Sequence, residues 1–172
     1  MDTTVLGKEK RLMDLRLHMN YKIKLVPIKV SWQAGRNSIV IEGVEGNTVS
    51  VHTTVKLSDD SYKKIKIDFP LFAECRFLNF NFGEHNYDNF LIRDPSDRYV
   101  KDTYDWKEWD SIFAETGVCP NPYFYEVENT TWINNKDFYS DLFAKGFKHF
   151  ILVGYDSYLE ILANGYEVSF NE

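Results

Sequence analysis

KHFILVGYDSYLEILANGYEVSF, residues 148–170, is a string of short β-forming runs broken at close intervals by turn residues. His149–Gly154, Tyr158–Ala163 and Tyr166–Phe170 are rich in branched aliphatic and aromatic residues, and Asp156-Ser157 and Asn164-Gly165 separate them. Asn-Gly suits the left-handed backbone of a two-residue hairpin turn, so the last two runs are expected to pair directly. A two-residue turn at Asp156-Ser157 sets Val153 opposite Glu160, Leu152 opposite Ile161 and Ile151 opposite Leu162. One face of that hairpin is then wholly apolar. Glu160 falls on the other face, between the Ile151–Leu162 pair and Val153. A carboxylate among aliphatic neighbours has its charged form disfavoured, as in general acids. The competing reading is a half-exposed Glu160 that meets water or a Lys or Arg. A one-residue slip in register reverses the faces.

The same alternation runs through residues 21–82. Tyr21, Ile23 and Leu25 alternate, and past Val26-Pro27 the phase changes to Ile28, Val30 and Trp32. A proline at the phase change predicts an edge strand with a bulge, because proline donates nothing to a ladder. Ile39–Val44 and Val49–Leu57 flank a hairpin turn at Glu45-Gly46-Asn47-Thr48. After a second turn at Ser58–Ser61, Ile65, Ile67 and Phe69 alternate with Lys64, Lys66 and Asp68. This is an antiparallel meander with one wet face. A further strand is expected within Phe72–Phe82. Residues 83–104 have weak periodicity and read as a long loop with one short strand at Phe90–Ile92.

Asp105–Gly117 has the signals of a helix. Asp105 caps it, Glu108 sits three residues on, Trp106, Trp109 and Phe113 share a face, and Gly117 ends it. Tyr123–Val127 alternates as a strand. Asn135–Lys145 reads as a second helix, with Phe138 and Leu142 as i, i+4 partners and Gly146 following. Residues 1–20 read equally as a short amphipathic helix or a frayed leader. The expectation is a single α+β domain over residues 21–172. It is mainly antiparallel β-sheet, sandwich-like or strongly curved, with two or three short helices.

The 172-residue length suits one domain able to bury a core without disulfide or metal. With 44% hydrophobic residues the chain is not of the disordered class. It carries 26 Asp and Glu against 20 Lys and Arg, a net charge of −6, which argues against binding nucleic acid or an anionic membrane. No run approaches the roughly 20 apolar residues of a membrane span. The first residues lack the apolar core of a signal peptide, so a cytoplasmic location is expected. Cys75 and Cys119 stand far apart with no CxxC pair, which favours two free thiols over a disulfide or a zinc site. Asn129-Thr130-Thr131 fits the glycosylation sequon but reads as chance without a secretion signal.

The charge is segregated. Residues 84–141 hold thirteen Asp or Glu and five Lys or Arg, a net of −8. Asp102, Asp105, Glu108 and Asp110 interleave there with Tyr104, Trp106 and Trp109. Three readings stand: a solvated acidic helix start with the tryptophans packed inward, a surface that engages a basic protein partner, or an aromatic platform for carbohydrate. His18, His52, His85 and His149 have no metal-ligand spacing. Glu84-His85 with Asp88 reads as solvated loop residues, so no metal or cofactor is expected. No GxSxG, P-loop, GxGxxG or HExxH occurs. Lys63, Lys64 and Lys66 read as a guard on a sheet edge.

Gly117-Val118-Cys119-Pro120-Asn121-Pro122-Tyr123-Phe124-Tyr125-Glu126-Val127, Trp132 and the run Lys148–Ala163 resemble the C-terminal half of a group of small uncharacterised bacterial proteins. The resemblance implies a bacterial, cytosolic protein and brings no catalytic residues. Acidic chains of this size and aromatic content also resemble toxin-neutralising immunity proteins. The leading expectation is therefore a non-enzymatic binding protein using Asp102–Asp110. The alternatives are a carbohydrate- or small-ligand-binding β domain and an enzyme built on Glu160.

Overall fold

The computed structural model describes residues 22–34, 37–43, 48–86, 89–101, 106–132 and 146–170. Its larger sheet has seven strands: β1 (Ile23–Pro27), β6 (Phe72–Leu78), β7 (Phe90–Arg93), β8 (Tyr99–Val100), β9 (Phe124–Val127), β10 (Lys148–Val153) and β11 (Tyr158–Ala163). Their spatial order is β6-β11-β10-β9-β1-β7-β8. The smaller sheet has five strands: β2 (Trp32–Gln33), β3 (Val40–Gly43), β4 (Val49–Leu57), β5 (Tyr62–Phe69) and β12 (Glu167–Phe170). It runs β12-β5-β4-β2, with β3 also paired to β4. Every pair is antiparallel except β1 with β7. Two short helices, α1 (Phe82–Asn86) and α2 (Trp106–Thr116), complete an α+β fold. The expected helix at Asn135–Lys145, the cap at Asp105 and residues 1–20 lie outside the described residues.

The sheets pack face to face. Alternate residues of β4 and β5 (Val49, Val51, Val55, Ile65, Ile67 and Phe69) point into the space between them and meet Phe124, Phe150, Leu152, Leu159 and Ile161 of the larger sheet. The opposite, outer face of the larger sheet is also apolar. Leu25, Ile92, Tyr125, Val127, Ile151, Val153 and Tyr158 form a second core there, joined by Phe82 of α1 and Trp109 of α2. The buried middle sheet thus needs apolar residues on both sides of its strands, which is why β10 reads as a continuous apolar run.

Asn164-Gly165 does not close a hairpin. β11 and β12 belong to different sheets, and Gly165 does not take the positive φ that a two-residue hairpin turn demands. The chain crosses between sheets here, beside a second crossing at Pro70-Leu71 between β5 and β6. The Asn164 N–H donates to the Leu71 carbonyl at 3.1 Å. Since β6 pairs with β11 and β5 with β12, the two crossings make one bent antiparallel ribbon shared by both sheets. Leu162 pairs with Glu74 but Ala163 pairs with Phe72, which leaves Ala73 as the extra residue of a bulge. A bulge of this kind bends and twists a strand pair at such a corner.

Two further expectations are corrected by the same topology. β1 is an interior strand between β9 and β7, not an edge, and Pro27 is its last residue. The phase change marks a sheet crossing: Leu25 faces the outer core, whereas Ile28 and Trp32 face the core between the sheets. β12 flanks β5 only along Ile65–Asp68, so Lys66 stands on an interior stretch and guards no edge, while Lys63 and Lys64 precede that pairing. Lys64 is exposed, and Lys66 pairs with Asp68 at 3.0 Å. Within residues 83–104, taken as a loop with one strand, the described residues hold most of α1 as well as β7 and β8. The Asn81 side chain caps α1 by accepting from the Glu84 N–H at 3.2 Å. At the far end of α2, Gly117 takes φ 69° and its N–H bonds Phe113, as expected of a helix C-terminus.

Candidate functional site

Glu160 lies on the outer face of the larger sheet, as its alternation predicts, but in a different register. Ile151 faces Glu160, and Val153 faces Tyr158. The connection is the four residues Gly154–Ser157, closed by a 2.8 Å bond from the Gly154 N–H to the Ser157 carbonyl. The shift is by two positions, so the faces are preserved. Gly154 has a packing reason: a Cβ there would meet Ile39 at 3.0 Å and the Asn37 carbonyl at 3.1 Å.

On its other side Glu160 pairs with Arg76 of the edge strand β6. Burial pushes the Glu160 carboxyl up, while the charges of Arg76 and His85 pull it down. Arg76 is held in a closed set of contacts. Its guanidinium donates twice to Glu74 Oε1, at 3.0 and 2.9 Å, and stacks 3.9 Å from the centre of the Trp132 ring. Trp132 Nε1 donates to the other Glu74 oxygen at 3.1 Å. The Trp132 ring meets His149 edge to face at 4.9 Å.

His149 is the unusual member. It is 7% exposed, its Nδ1 lies 2.9 Å from Thr130 Oγ1, and its Nε2 is buried with no hydrogen-bond partner. Burial, helped by the charge of Arg76, pushes its pKa down to about 3, so the ring is neutral at ordinary pH. On the other side of Glu160, Tyr158 Oη lies 2.5 Å from His85 Nδ1. Burial raises the Tyr158 hydroxyl, and the nearby Glu160 charge raises it further. The outer face at the β6 end therefore carries a polar group of Glu74, Arg76, Trp132, His149, Glu160, Tyr158 and His85 beside an otherwise apolar core.

An aromatic rim borders this group. β6 ends at Leu78 opposite Tyr158, so the residues after it run beside the Gly154–Ser157 loop. Asn81 Nδ2 donates to the Tyr155 carbonyl at 3.3 Å, which ties the two segments together. Phe80 and Tyr155 are 60% and 63% exposed, and Phe80 stacks on His85, whereas the exposed Phe77 lies opposite Leu159 on the other side of the sheet.

Of the residues singled out in the acidic centre, Asp102, Tyr104 and Asp105 lie outside the described residues, and Trp106 opens α2. Glu108 is exposed and Asp110 half-buried. Trp109 is 7% exposed and belongs to the outer core with Leu25 and Phe90, so its ring offers no flat face to a sugar or a partner. Asp88 also lies outside the described residues. Both cysteines are free, and burial pushes Cys75 up to about 11 and Cys119 up to about 12, far from the thiolate a nucleophile needs. Among the described residues no group of three or more His, Cys, Asp or Glu is placed to hold a metal ion, and no helix is long and apolar enough to cross a membrane. The sequon Asn129 uses its side chain to clamp β1, accepting from the Lys24 N–H at 2.7 Å and donating to the Lys22 carbonyl at 2.8 Å.

Sequence reading missed Arg76, His149, His85 and the rim. Arg76 faces Glu160 only because β6 pairs with β11, a contact across the sheet corner. The helix that carries His85 did leave a signal, Asn81-Phe82-Gly83-Glu84, which is the spacing of an N-terminal capping pair. No family model, curated protein or solved structure matches the chain.

Proposed function

We propose that this is a non-enzymatic binding protein that engages a protein partner through the aromatic rim at the β6 end of the larger sheet. The observation that carries the reading is the exposure of Phe80 and Tyr155 on two segments that the Asn81 side chain ties together at one end of an edge strand. Large exposed rings in one place are costly in water and are the side chains that anchor protein interfaces. The acidic stretch Asp102–Asp110 supplies charge that steers a basic partner toward the molecule. A toxin neutralised by this chain is a partner of that kind.

The test is affinity enrichment from the source cells with three baits: the native chain, a Phe80→Ser/Tyr155→Ser variant, and a Glu108→Gln/Asp110→Asn variant. The expected result is a partner retained by the native chain and lost by at least tenfold on the rim variant, about 1.4 kcal/mol. The acidic variant should slow association and flatten its salt dependence. A partner that ignores both variants, with their far-ultraviolet circular dichroism unchanged, would overturn the reading.

A further inference from the structure

A recess lies on the other side of the larger sheet, where its inner face runs past the smaller sheet. Two sheet crossings frame it: Val26–Ile28 on one side and Asn164–Tyr166 on the other. Glu126, Lys148 and Phe150 form its floor, and its volume is about 300 Å³, at the small end of ligand sites of roughly 300–1,000 Å³. The lining mixes apolar side chains with polar groups, Asn164 among them. The Tyr166 ring stands edge-on to Phe150 and Phe124, with centroids 5.6 and 5.0 Å away. Val26, Pro27 and Ile28 face it across the opening. The charged groups meet at one place, where Lys148 Nζ lies 2.7 Å from Glu126 Oε2. Both charges act on the Tyr166 hydroxyl, which burial raises.

We propose that this cleft is a binding site for a small zwitterion with an apolar body, the chemical class of an aromatic or aliphatic α-amino acid. The argument is one of charge balance. Lys148 and Glu126 are half in water, so their mutual pairing stabilises little and is easily exchanged. A ligand with only a carboxylate would pair with Lys148 but set its charge against that of Glu126. A ligand with only an ammonium would pair with Glu126 and set its charge against that of Lys148, and like charges brought together repel. A zwitterion presents both charges side by side, as the protein pair does, and the four charges then compensate one another. The apolar body lies against Tyr166, Phe150 and Pro27. Gly165 borders the cleft, and a Cβ there would meet no atom within 4 Å, so a larger side chain can be introduced at this wall without a clash.

The test is ligand-observed NMR and calorimetry with phenylalanine, phenylpropionate and phenethylamine at neutral pH. Phenylalanine is expected to bind with a dissociation constant near or below about 1 mM, and each singly charged analogue at least about tenfold more weakly. The Lys148→Met/Glu126→Gln variant should lose that preference, and Gly165→Phe should abolish binding while its thermal midpoint stays close to the native value. Absence of phenylalanine binding up to about 10 mM, equal binding of a singly charged analogue, or undiminished binding to Gly165→Phe would each overturn the proposal. The three-ligand comparison on the native chain decides the matter even where a variant fails to fold.

Discussion

The two faces of the seven-stranded sheet are made by the same strands, yet they are built on different terms. On the inner face, Phe124 is fully buried and its ring meets Trp32, Phe69, Phe150 and Tyr166. The buried interior of that face is mainly hydrocarbon, and Glu126 and Lys148 stand at its open mouth. The outer face is just as apolar near Leu25 and Val127, but toward β6 it takes in Glu74, Arg76, His149 and Glu160. Apolar packing stabilises at every pH. Buried titratable groups stabilise or destabilise according to which protonation state fits. The inner face therefore contributes stability that is insensitive to pH, while the outer face adds buried titratable groups whose contribution changes with pH.

The largest effect that probes this contrast is Phe124→Ala. It removes a ring at the centre of the inner core and should cost about 3–5 kcal/mol, read as a drop in urea midpoint that is the same at pH 5 and pH 7. A loss below about 1 kcal/mol would mean that the ring's neighbours collapse into its place and that the two sheets are not locked by it.

Much of the inner face was legible in sequence because it obeys local rules. The alternation of Ile65, Ile67 and Phe69 against Lys64, Lys66 and Asp68 marks β5 and its buried side without further information. The apolar faces around Gly154–Ser157 also survived a register error, because a slip of two positions leaves alternation intact. What failed was each reading that depended on a distant strand. Asn164-Gly165 has the chemistry of a hairpin turn, but β12 finds its partner in β5, nearly a hundred residues earlier, and the local preference yields. Pro27 suggested an edge because nothing local shows that β7 and β9 flank β1, with β9 reaching Pro27 and β7 stopping at Leu25. The polar cluster was illegible for the same reason: Arg76 meets Glu160 through the bent ribbon, and Trp132 reaches both Arg76 and His149 from a separate segment.

The second effect belongs to His149. The unfolded chain takes up a proton at this residue below about pH 6.5, while the folded ring resists until about pH 3. The unfolded state binds more protons throughout that window, so stability falls as the pH drops through it, by about 1.4 kcal/mol per unit at most. Carboxylates held low by their partners, such as Asp68 beside Ser50 and Lys66, act only below about pH 4. In the interval from about pH 6.5 to 4.5 the histidine lowers stability as the pH falls and the raised Glu160 carboxyl opposes it, so the histidine is read from its variant and not from the native slope alone. His149→Phe should lose some stability at neutral pH through its Thr130 contact, and should show a much shallower decline across that interval in a series of urea melts. An unchanged slope would mean that the ring charges readily and that the outer face opens to admit water.

The smallest effect has the opposite sign and is the sharper test of the outer face. Burial raises the Glu160 carboxyl above its ordinary value, so the folded state holds its proton to higher pH than the unfolded chain does. Stability from this group is present below about pH 4.5 and is lost as the pH rises through the folded value. At neutral pH the charged carboxylate is a burden that Arg76 offsets only in part, since Arg76 is already engaged with Glu74 and Trp132. Glu160→Gln should then stabilise the protein at pH 7, by on the order of 1 kcal/mol, with the gain fading as the pH falls through the raised folded value and gone by about pH 4.5. A loss of stability at pH 7 would show that attraction to Arg76 outweighs burial and that the cluster is held together as an ion pair. Because His149 and Glu160 pull the pH profile in opposite directions on one face, their effects partly cancel in the native chain, so each single variant should expose the slope of the other group, while Phe124→Ala shifts the whole profile without changing its shape.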